Sequence, residues 1–244
     1  MMKKLKLIYK KLKEYYFNLS ERHVVHDFCF RYKERGMASG FQSQRGQDYY
    51  ILSELLSFKK NGFFVEVGAN HPLIDNNSLV FEKRYNWTGI AIDPIPKFKD
   101  LWTKERKVIF LNECISSQDN LPVEFTEIIS DDWQNMLSGI DVLTNNKVKL
   151  LKEKKFKNYI LKTRRLDSIL KDHDVLSIDV LFIDTEGFER NVLEGIDFER
   201  VSIFCICLEN DDQDKDLRNY LLRRKYRLCA HIMGDDIFIK ESNL

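Results

Sequence analysis

The sequence predicts an α/β domain built on a mixed, seven-stranded sheet that is parallel except for its last strand. From residue 41 onward, short apolar runs alternate with helix-like stretches, which is typical of right-handed βαβ crossovers between parallel strands. The run SIFCICLEN, residues 202–210, is almost entirely apolar, as expected of a strand buried on both faces. The final segment, YRLCAHIMGDDIFIK, predicts two strands joined across residues 234–236, so the last strand runs antiparallel to its neighbour.

The composition indicates one large globular domain with an extension. The 244 residues are 43% hydrophobic and 32% charged, which is enough apolar material for a sizeable core. Because 39 Lys and Arg nearly balance 38 Asp and Glu, a protein whose whole surface binds nucleic acid is disfavoured. The five cysteines lie mostly in apolar runs, which favours buried, reduced thiols over disulfides or a zinc site. No apolar run reaches the ~18 residues of a membrane span, so we expect a cytoplasmic protein.

The first element, MMKKLKLIYKKLKEYYF, predicts a short basic amphipathic helix. It contains six lysines and one glutamate, and Leu5, Ile8 and Leu12 repeat at helical spacing. Such a helix either lies on an anionic membrane surface or packs against its own domain or a partner subunit. We assign residues 1–40 to a basic helical extension and residues 41–244 to the main domain.

The elements that follow keep the βαβ rhythm. A loop and a helix begin at Phe41, and strand-like runs then alternate with helical stretches. The predicted strands are residues 63–67, 89–92, 108–112, 179–184 and 202–210, followed by the two strands of the terminal hairpin, and helices are predicted at 77–85, at 98–104 and after residue 184.

Residues 131–165 interrupt this rhythm. The stretch from Lys147 to Arg165 holds nine basic side chains and one acidic one, and a partly buried helix could include Val148, Leu151 and Phe156. We interpret residues 131–165 as a variable basic insertion that either forms a lid over one end of the sheet or is a solvated basic surface.

Functional residues are expected where the first two strands end, because open parallel sheets bind ligands at the carboxyl ends of their strands. Gly68 follows the first strand and lets the backbone approach a ligand, and Asp93, about 27 residues beyond Glu66, is placed to bind both hydroxyls of a ribose. The turn has no G-x-G-x-x-G motif and the chain has no P-loop, so nothing here holds a pyrophosphate. A cofactor with a ribose but no phosphate, S-adenosylmethionine, fits best. The alternative is a plain glycine turn with a solvated aspartate.

Several motifs resemble the FkbM-type methyltransferase family. They are GFFVEVGANHP with WTGIAIDP, then RLDSIL and IDVLFIDTEGFERNVLEG, with SQRGQD upstream of the first strand. The resemblance covers roughly residues 41–240, and its most specific part is the D-x-E-G-x-E block, in which Thr185 replaces a more usual aliphatic residue. It implies a Rossmann-like class I methyltransferase fold, with helices on both faces of the sheet, that uses S-adenosylmethionine. Members are typically O-methyltransferases, many of them acting on sugars of glycans or surface polysaccharides.

The resemblance also implies roles for single residues, carried over by position. Asp93 would bind the ribose, and Asp184 and Glu186 would face the cofactor's transferring methyl group. The other implied cofactor contacts are Glu66, Gly68, Ala69 and Asn70 at the methionine part, and Asn112, Glu113 and Cys114 around the adenine.

A base is needed because a sugar hydroxyl is a poor nucleophile near neutral pH. Asp184, Glu186 and Glu189 place three carboxylates within six residues. Crowded carboxylates raise one another's pKa, which can poise one as the base, and they could equally hold a divalent cation that acidifies the hydroxyl. For Glu189, a surface pair with Arg190 or a lysine is the alternative. His71, directly after the cofactor turn, is either a second candidate base or a structural histidine.

Two pairs of polar residues are candidates for acceptor binding. Gln47 and Asp48 lie upstream of the first strand, and Glu209 and Asn210 end the fifth strand on the same rim. Structural hydrogen bonding to a loop is the alternative for the first pair, and a plain strand-end turn is the alternative for the second.

These features predict an S-adenosylmethionine-dependent O-methyltransferase whose acceptor is a sugar hydroxyl of a glycan or surface polysaccharide. The basic N-terminal helix would suit an enzyme that works beside lipid-linked glycans at the inner membrane face. One alternative is a nucleic-acid methyltransferase that uses the basic residues 147–165, although the chain has no N/D-P-P-Y motif. The other is a non-catalytic binding protein on a methyltransferase fold.

Overall fold

The structure is a computed structural model that describes residues 24–27, 31–129, 136–140 and 155–241. These residues form a large sheet, a smaller sheet and helices, which confirms the predicted α/β class. The strands are β1 (Val25–Asp27), β2 (Phe63–Val67), β3 (Thr88–Ile92), β4 (Ile109–Leu111), β5 (Cys114–Ile115), β6 (Pro122–Ile129), β7 (Gly139–Ile140), β8 (Lys155–Arg164), β9 (Ser177–Ile183), β10 (Ser202–Glu209), β11 (Tyr226–Ile232) and β12 (Asp235–Lys240).

The large sheet has eight strands in the order β1-β11-β12-β10-β9-β2-β3-β4. Neighbouring strands are parallel except at β12, which runs antiparallel to both β10 and β11. The antiparallel last strand predicted from the terminal hairpin is therefore confirmed. The chain runs outward in one direction from β2 through β3 to β4, and in the other direction from β9 to β10. The boundary between β2 and β9 is therefore a topological switch point.

The prediction of seven strands is wrong by one. The additional strand, β1, is three residues long and falls inside the segment expected to be helical, because so short a strand shows no alternation that a sequence pattern can detect. It pairs in parallel with Ala230–Ile232 of β11. Without β1, this end of β11 would form an edge of the sheet with unpaired backbone groups.

Helices pack on both faces of the large sheet because consecutive residues of each strand point to opposite sides. In β9, Val180 and Phe182 join an apolar cluster with Phe81, whereas Leu181 and Ile183 join a second cluster with Leu193. The helices are α1 (Arg31–Ala38), α2 (Gln47–Tyr50, continued by a π-turn over Ile51–Leu55), α3 (Leu79–Tyr85), α4 (Lys99–Glu105, after a 3₁₀ turn over Pro96–Phe98), α5 (Leu166–Asp172), α6 (Glu189–Glu194) and α7 (Lys215–Leu222).

The smaller sheet has the order β5-β8-β6-β7 and includes part of the predicted insertion. The helix predicted through Phe156 is wrong, because Phe156 lies in the ten-residue strand β8, which pairs antiparallel with β6. The sequence KFKNYILKTR does alternate, but lysines on both faces hide the two-residue period. Val148 and Leu151, the other members of that helix, lie outside the described residues.

The N-terminal region is described only from residue 24. Helix α1 packs on the main domain through Tyr32, which is buried against Tyr50. The basic helix predicted at the start of the chain lies outside the described residues. Within the ranges given above, no helix has both the length and the apolar character needed to cross a bilayer.

Candidate active site

A cleft opens at the switch point, between the carboxyl ends of β2, β3 and β9 and the smaller sheet. The cleft encloses about 540 Å³ of space, part of which is open to solvent. One wall contains the predicted residues Gly68, Asn70, Asp93, Glu113, Cys114 and Asp184. The opposite wall comes from Phe125, Ile140 and the segment 136–139. This second wall was missed, because β6 and β7 were not predicted.

A second, more polar cleft adjoins the first. It shares Gly68, Asn70, Met136 and Asp184 with the first cleft, and it adds Gln47 and Glu66. Candidate cofactor residues and a candidate acceptor residue therefore face adjoining spaces, and Asp184 borders both.

Asp93 is fixed at the end of β3 by two backbone N–H groups. Asn70 N donates to Oδ2 and Ile95 N donates to Oδ1, both at 2.8 Å. Each carboxylate oxygen keeps a further lone pair for a hydroxyl donor. Burial raises the pKa of Asp93 to about 6, although the two N–H donors oppose this shift. Asp93 is therefore mostly ionised at neutral pH.

Asn70 supplies a buried acceptor next to Asp93. Its Oδ1 atom has no hydrogen-bond partner in the part of the chain that the structure describes, and the residue lines both clefts. A buried acceptor without a donor is costly, so a ligand carrying a hydroxyl or ammonium donor suits this wall.

Glu66 is part of a hydrogen-bond network that holds the loop after β2. It accepts hydrogen bonds from Asn76 Nδ2, from the Asn77 backbone N–H and from Ser78 Oγ. Burial raises the pKa of Glu66, and these donors oppose the shift. Although Glu66 lines the second cleft, its hydrogen bonds go to this loop.

Arg106 completes that network, and the sequence analysis missed it. Its buried guanidinium donates to Glu82, to the Pro72 carbonyl, and to Asn76 and Ser78. The residue lies in a polar stretch at the end of α4, where nothing in the sequence distinguishes it from surface arginines.

Gly68 is required by the close approach of two strand ends. Its φ is 81°, and a Cβ atom there would lie 1.7 Å from the Asp184 carbonyl oxygen. The glycine thus allows β2 and β9 to end side by side, which places Asp93 and Asp184 in walls of one cleft.

The residues expected around the adenine divide into two groups. Glu113 and Cys114 line the first cleft, and burial raises the pKa of the Cys114 thiol to about 12, so this wall is neutral at Cys114. Asn112 instead donates from Nδ2 to the Asp93 carbonyl at 2.8 Å and so braces the end of β3. Ala69 is buried and borders the second cleft.

Three carboxylates converge beyond Asp184. One oxygen each from Asp184, Glu186 and Glu209 lie within 4.8 Å of one another, a geometry that could hold a divalent cation. Burial, together with the charges of Glu209 and Glu186, raises the pKa of Asp184 well above its usual range. Glu186 occupies the left-handed region at φ 53°, so the turn after β9 is strained.

Glu189 stabilises this strained turn. Its Oε1 accepts hydrogen bonds from Thr185 N, Thr185 Oγ1 and Gly187 N at 3.0–3.1 Å. The residue is buried, and Arg190 pairs with Glu194 instead. The predicted alternative of a surface pair between Glu189 and Arg190 is therefore wrong.

Arg45 forms ion pairs with carboxylates near Asp184, and the sequence analysis missed it. Its guanidinium lies 3.3 Å from Glu209, 2.9 Å from Asp211 and 3.6 Å from Asp235. A Cβ atom on Gly234 would lie 1.9 Å from Asp211 Oδ1 and 2.2 Å from Arg45 Nη1, so the hairpin glycine makes room for this ion pair. The available signal was the SQRGQD segment, which contains Arg45.

The candidate acceptor residues have different positions. Gln47 lines the second cleft and donates to Asp235 at 2.7 Å, and burial raises the pKa of Asp235 to about 8. Asp48 is buried and accepts hydrogen bonds within its own loop, from residues 42, 43 and 49. Asn210 donates to Asp236 at 2.7 Å and accepts from the Asp214 backbone.

His71 hydrogen-bonds within its own turn. Its Nδ1 atom accepts hydrogen bonds from the backbone N–H groups of Leu73 and Ile74 at 3.1 and 3.2 Å, and its ring meets Phe98 edge-on. Burial lowers the pKa of His71, which keeps the ring neutral. The lone pair that a base needs is therefore already used.

The outer rim of the site is strongly acidic. A third cleft, beside Asp184, is lined by Arg190 and by six carboxylates, those of Glu186, Glu189, Glu209, Asp211, Asp212 and Asp214. Such a rim repels polyanions and suits a neutral or hydroxyl-rich ligand.

Comparison with known proteins gives one match. Residues 66–228 match the family model described as "Methyltransferase FkbM domain". No curated protein and no solved structure matches the chain. The matched span runs from Glu66 in β2 to Leu228 in β11 and includes Asp93, Asp184 and Glu209.

Replacing Arg45 tests the charge balance of the rim. Arg45→Met leaves several carboxylates without their shared cation and is expected to lower the free energy of unfolding by about 3 kcal/mol in urea titrations. Arg45→Lys should restore part of the loss. Arg190→Met, which removes a partly exposed guanidinium that pairs with Glu194 and lies over the Tyr220 ring, is the control and should cost about 1 kcal/mol or less. Equal losses in Arg45→Met and Arg190→Met would contradict this assignment.

Proposed function

The chain belongs to the FkbM methyltransferase family, and from this premise we propose that it is an S-adenosylmethionine-dependent O-methyltransferase that acts on a sugar hydroxyl of a glycan or surface polysaccharide. The observation that carries the proposal is the position of Asp184. This carboxylate borders the cleft of Asp93 and lies beside the acidic rim of Glu209. A cofactor on one side and an acceptor on the other would therefore meet at Asp184.

We assign the large sheet to the Rossmann-like class I arrangement. The order β4-β3-β2-β9-β10-β12-β11, with its antiparallel β12 and its switch point between β2 and β9, supports this assignment. In sheets of this kind the ligand lies outside the carboxyl ends of the strands at the switch point. Gly68 and Asp184 flank that point.

The residues around the first cleft fit S-adenosylmethionine. Asp93 has free lone pairs for two ribose hydroxyls, and the Asn70 Oδ1 atom is a buried acceptor for an ammonium or hydroxyl donor. Glu113 and Cys114 would border the adenine. When bound, S-adenosylmethionine supplies an electrophilic methyl group that is transferred by in-line displacement, a step whose rate depends strongly on positioning.

Asp184 is the residue we assign as general base. Its raised pKa makes it a better proton acceptor than an ordinary aspartate, and its neighbours Glu186 and Glu209 disfavour a further negative charge. His71 is less suitable, because its Nδ1 already accepts two backbone hydrogen bonds. If Asp184, Glu186 and Glu209 hold a divalent cation, that cation would acidify the acceptor hydroxyl.

The acidic rim supports a sugar acceptor over a nucleic acid. Carboxylates such as Glu209 and Asp211 accept hydrogen bonds from hydroxyl groups. The same charges repel the phosphates on which nucleic-acid affinity depends. Gln47 lies at the edge of the second cleft, where it can also contact the acceptor.

We also propose that the enzyme works at the inner face of a membrane. The six lysines within residues 1–17 support this location, because polybasic segments bind anionic lipids. Lipid-linked glycans would then be the acceptors.

Calorimetric titration with S-adenosylhomocysteine tests the cofactor site. Wild type is expected to bind, and Asp93→Ala is expected to lower the affinity by at least tenfold, because two charge-assisted hydrogen bonds are lost. The exposed Asp172→Ala is the control and should bind like wild type. If Asp93→Ala binds as tightly as wild type while remaining folded, the ribose assignment is wrong.

The same titration should depend on pH in a defined direction. Because the pKa of Asp93 is raised to about 6, its carboxylate is fully ionised at about pH 8 and mostly protonated at about pH 5. We expect the dissociation constant to rise by about tenfold, which is weaker binding, as the pH falls from about 8 to about 5. Asp93→Asn cannot titrate, so its affinity should stay nearly constant, and an equal pH dependence in both proteins would contradict the assignment.

Transfer of a labelled methyl group tests the reaction. Neutral hexosides, a uronic acid, RNA and DNA are offered as acceptors, with added magnesium and with a chelator. Asp184→Asn is expected to lower transfer to a neutral sugar by at least ~10²-fold, and Glu194→Gln, an exposed helix residue, should not. A product that survives mild base is an ether and not an ester. Transfer to RNA or DNA alone would overturn the proposed acceptor.

A further inference from the structure

Strand β8 carries two exposed apolar side chains on one face. Tyr159 and Leu161 pack inward, in the apolar cluster that contains Phe125. Phe156 and Ile160 belong to the opposite face, because side chains alternate along a strand, and they are 46% and 76% exposed. Ile160 is the most exposed of the large apolar residues that the structure describes. Both side chains are therefore accessible to a partner.

The same strand has an open edge. Among the described strands, β6 pairs with β8 from Lys155 to Lys162, but β5 pairs with it only at Thr163 and Arg164. The edge on the β5 side is therefore open over residues 155–162.

The direction of the backbone groups shows which residues present this edge. The Thr163 N–H donates to the Leu121 carbonyl, which leads into β6, whereas the Arg164 carbonyl accepts from the Ser116 N–H, which follows β5. Backbone groups alternate in direction along a strand, so the even-numbered residues of β8 turn their N–H and C=O groups toward the open edge. These residues are Phe156, Asn158, Ile160 and Lys162.

This edge is complementary to a second copy of itself. With Asn158 at a twofold axis and the two strands antiparallel, Phe156 lies opposite the partner's Ile160, and Ile160 lies opposite the partner's Phe156. All of these positions present backbone groups to the edge, so each facing pair can exchange two N–H···O hydrogen bonds. The exposed apolar side chains then form two cross-strand pairs, which is the contact that stabilises neighbouring strands.

We propose that β8 pairs with β8 of a second copy of this chain, so that two smaller sheets join across a twofold axis. Such a contact uses the same edge in both copies and closes it, so assembly stops at a dimer.

The charges along β8 are compatible with this register. Lys157 would lie opposite the partner's Tyr159, and Lys155 opposite the partner's Leu161. Beyond Leu161, Lys162 would come into register with residue 154, also a lysine, so the pairing ends there. A polyanion matches the apolar face less well, because Lys155 and Lys157 belong to the Tyr159 face and Glu124 stands opposite Ile160.

The size of the contact predicts a weak, reversible dimer. One pair of short strands buries much less than the ~1,600 Å² of a standard stable interface, so we expect a dissociation constant on the order of 10 μM to 100 μM. Strand β6, whose Phe125 lines the first cleft, pairs with the other edge of β8, so the dimer would steady this wall. An effect on catalysis rests on the proposed function, but dimerisation itself does not.

Sedimentation velocity of the full chain over a concentration series, up to about 300 μM, tests the proposal. Wild type should change from monomer to dimer within this range. Ile160→Lys should weaken the dimer by at least about tenfold, because it replaces an apolar partner in both cross-strand pairs with a charge. Leu176→Lys, at a side chain that is 62% exposed elsewhere, is the control and should dimerise like wild type.

Two substitutions at Asn158 separate the backbone from the side chain. Asn158→Pro removes an N–H that points to the open edge and is not used by β6, and it should weaken the dimer by at least about tenfold. Asn158→Ala keeps that N–H and should dimerise like wild type. A cross-link tests the register: Asn158→Cys with a short bismaleimide should give more linked dimer than wild type, and Lys171→Cys, on an exposed part of α5, should not.

Two results would overturn the proposal: wild type that stays monomeric throughout the series, or a dimer that Ile160→Lys and Asn158→Pro leave unchanged. Added salt should not weaken the dimer, because it screens the repulsion between the lysines of the two strands. Monomeric wild type that binds anionic vesicles or RNA, and loses this binding in Ile160→Lys, would assign the face to that partner instead. S-Adenosylhomocysteine titration and thermal melting of each variant should match wild type, so failure to dimerise is distinguishable from misfolding and from failure of the cofactor site. If Asn158→Pro melts early, the cross-link and Ile160→Lys decide.

Discussion

The gathering of negative charge at the carboxyl ends of the strands is the constraint on which this structure depends. Glu66 and Asp235 are buried at the end of the sheet where its parallel strands finish, and Asp184 lies close to Glu209 at the same end. Buried carboxylates repel one another and lose hydration, so each needs donors or a cation. Arg106 donates hydrogen bonds within the Glu66 network, and Arg45 forms ion pairs with carboxylates of the rim. The loops that bring these two arginines inward therefore help to determine the shape of the clefts.

The hydrogen-bond partners also show which residues around the site are available to a ligand. Glu66, Asp48 and Glu189 have their hydrogen bonds directed to neighbouring loops, so these acids maintain geometry. Asp93 and Asn70 keep accepting capacity that points into a cleft, and Asp184 has a pKa raised by burial and by its acidic neighbours. Within one ring of polar residues, the hydrogen-bond partners separate those that build the site from those that can meet a ligand.

The sequence predicted the local features of this architecture well and the long-range ones poorly. Strand β2 was predicted with its observed bounds, and Asp93 and Asp184 do line one cleft, because apolar runs and strand-end residues are local signals. Strand β1 was too short to detect, and the lysines of β8 concealed its alternation. Arg45 could not be assigned, because its partner Asp211 is 166 residues away and an ion pair leaves no periodic pattern.

The position of β12 has a consequence for the order in which the protein can fold. This strand ends the described chain, yet it fills the gap between β10 and β11, and β1 near the other terminus pairs with β11. Strands β10 and β11 cannot be joined into one sheet until residues 235–240 have left the ribosome. Pairings over such long sequence separations are slow to form, and until then the apolar edge of β10 is open. The nascent chain thus presents an open strand edge from the emergence of β10 until residues 235–240 follow, and shielding by a chaperone would matter most during that interval.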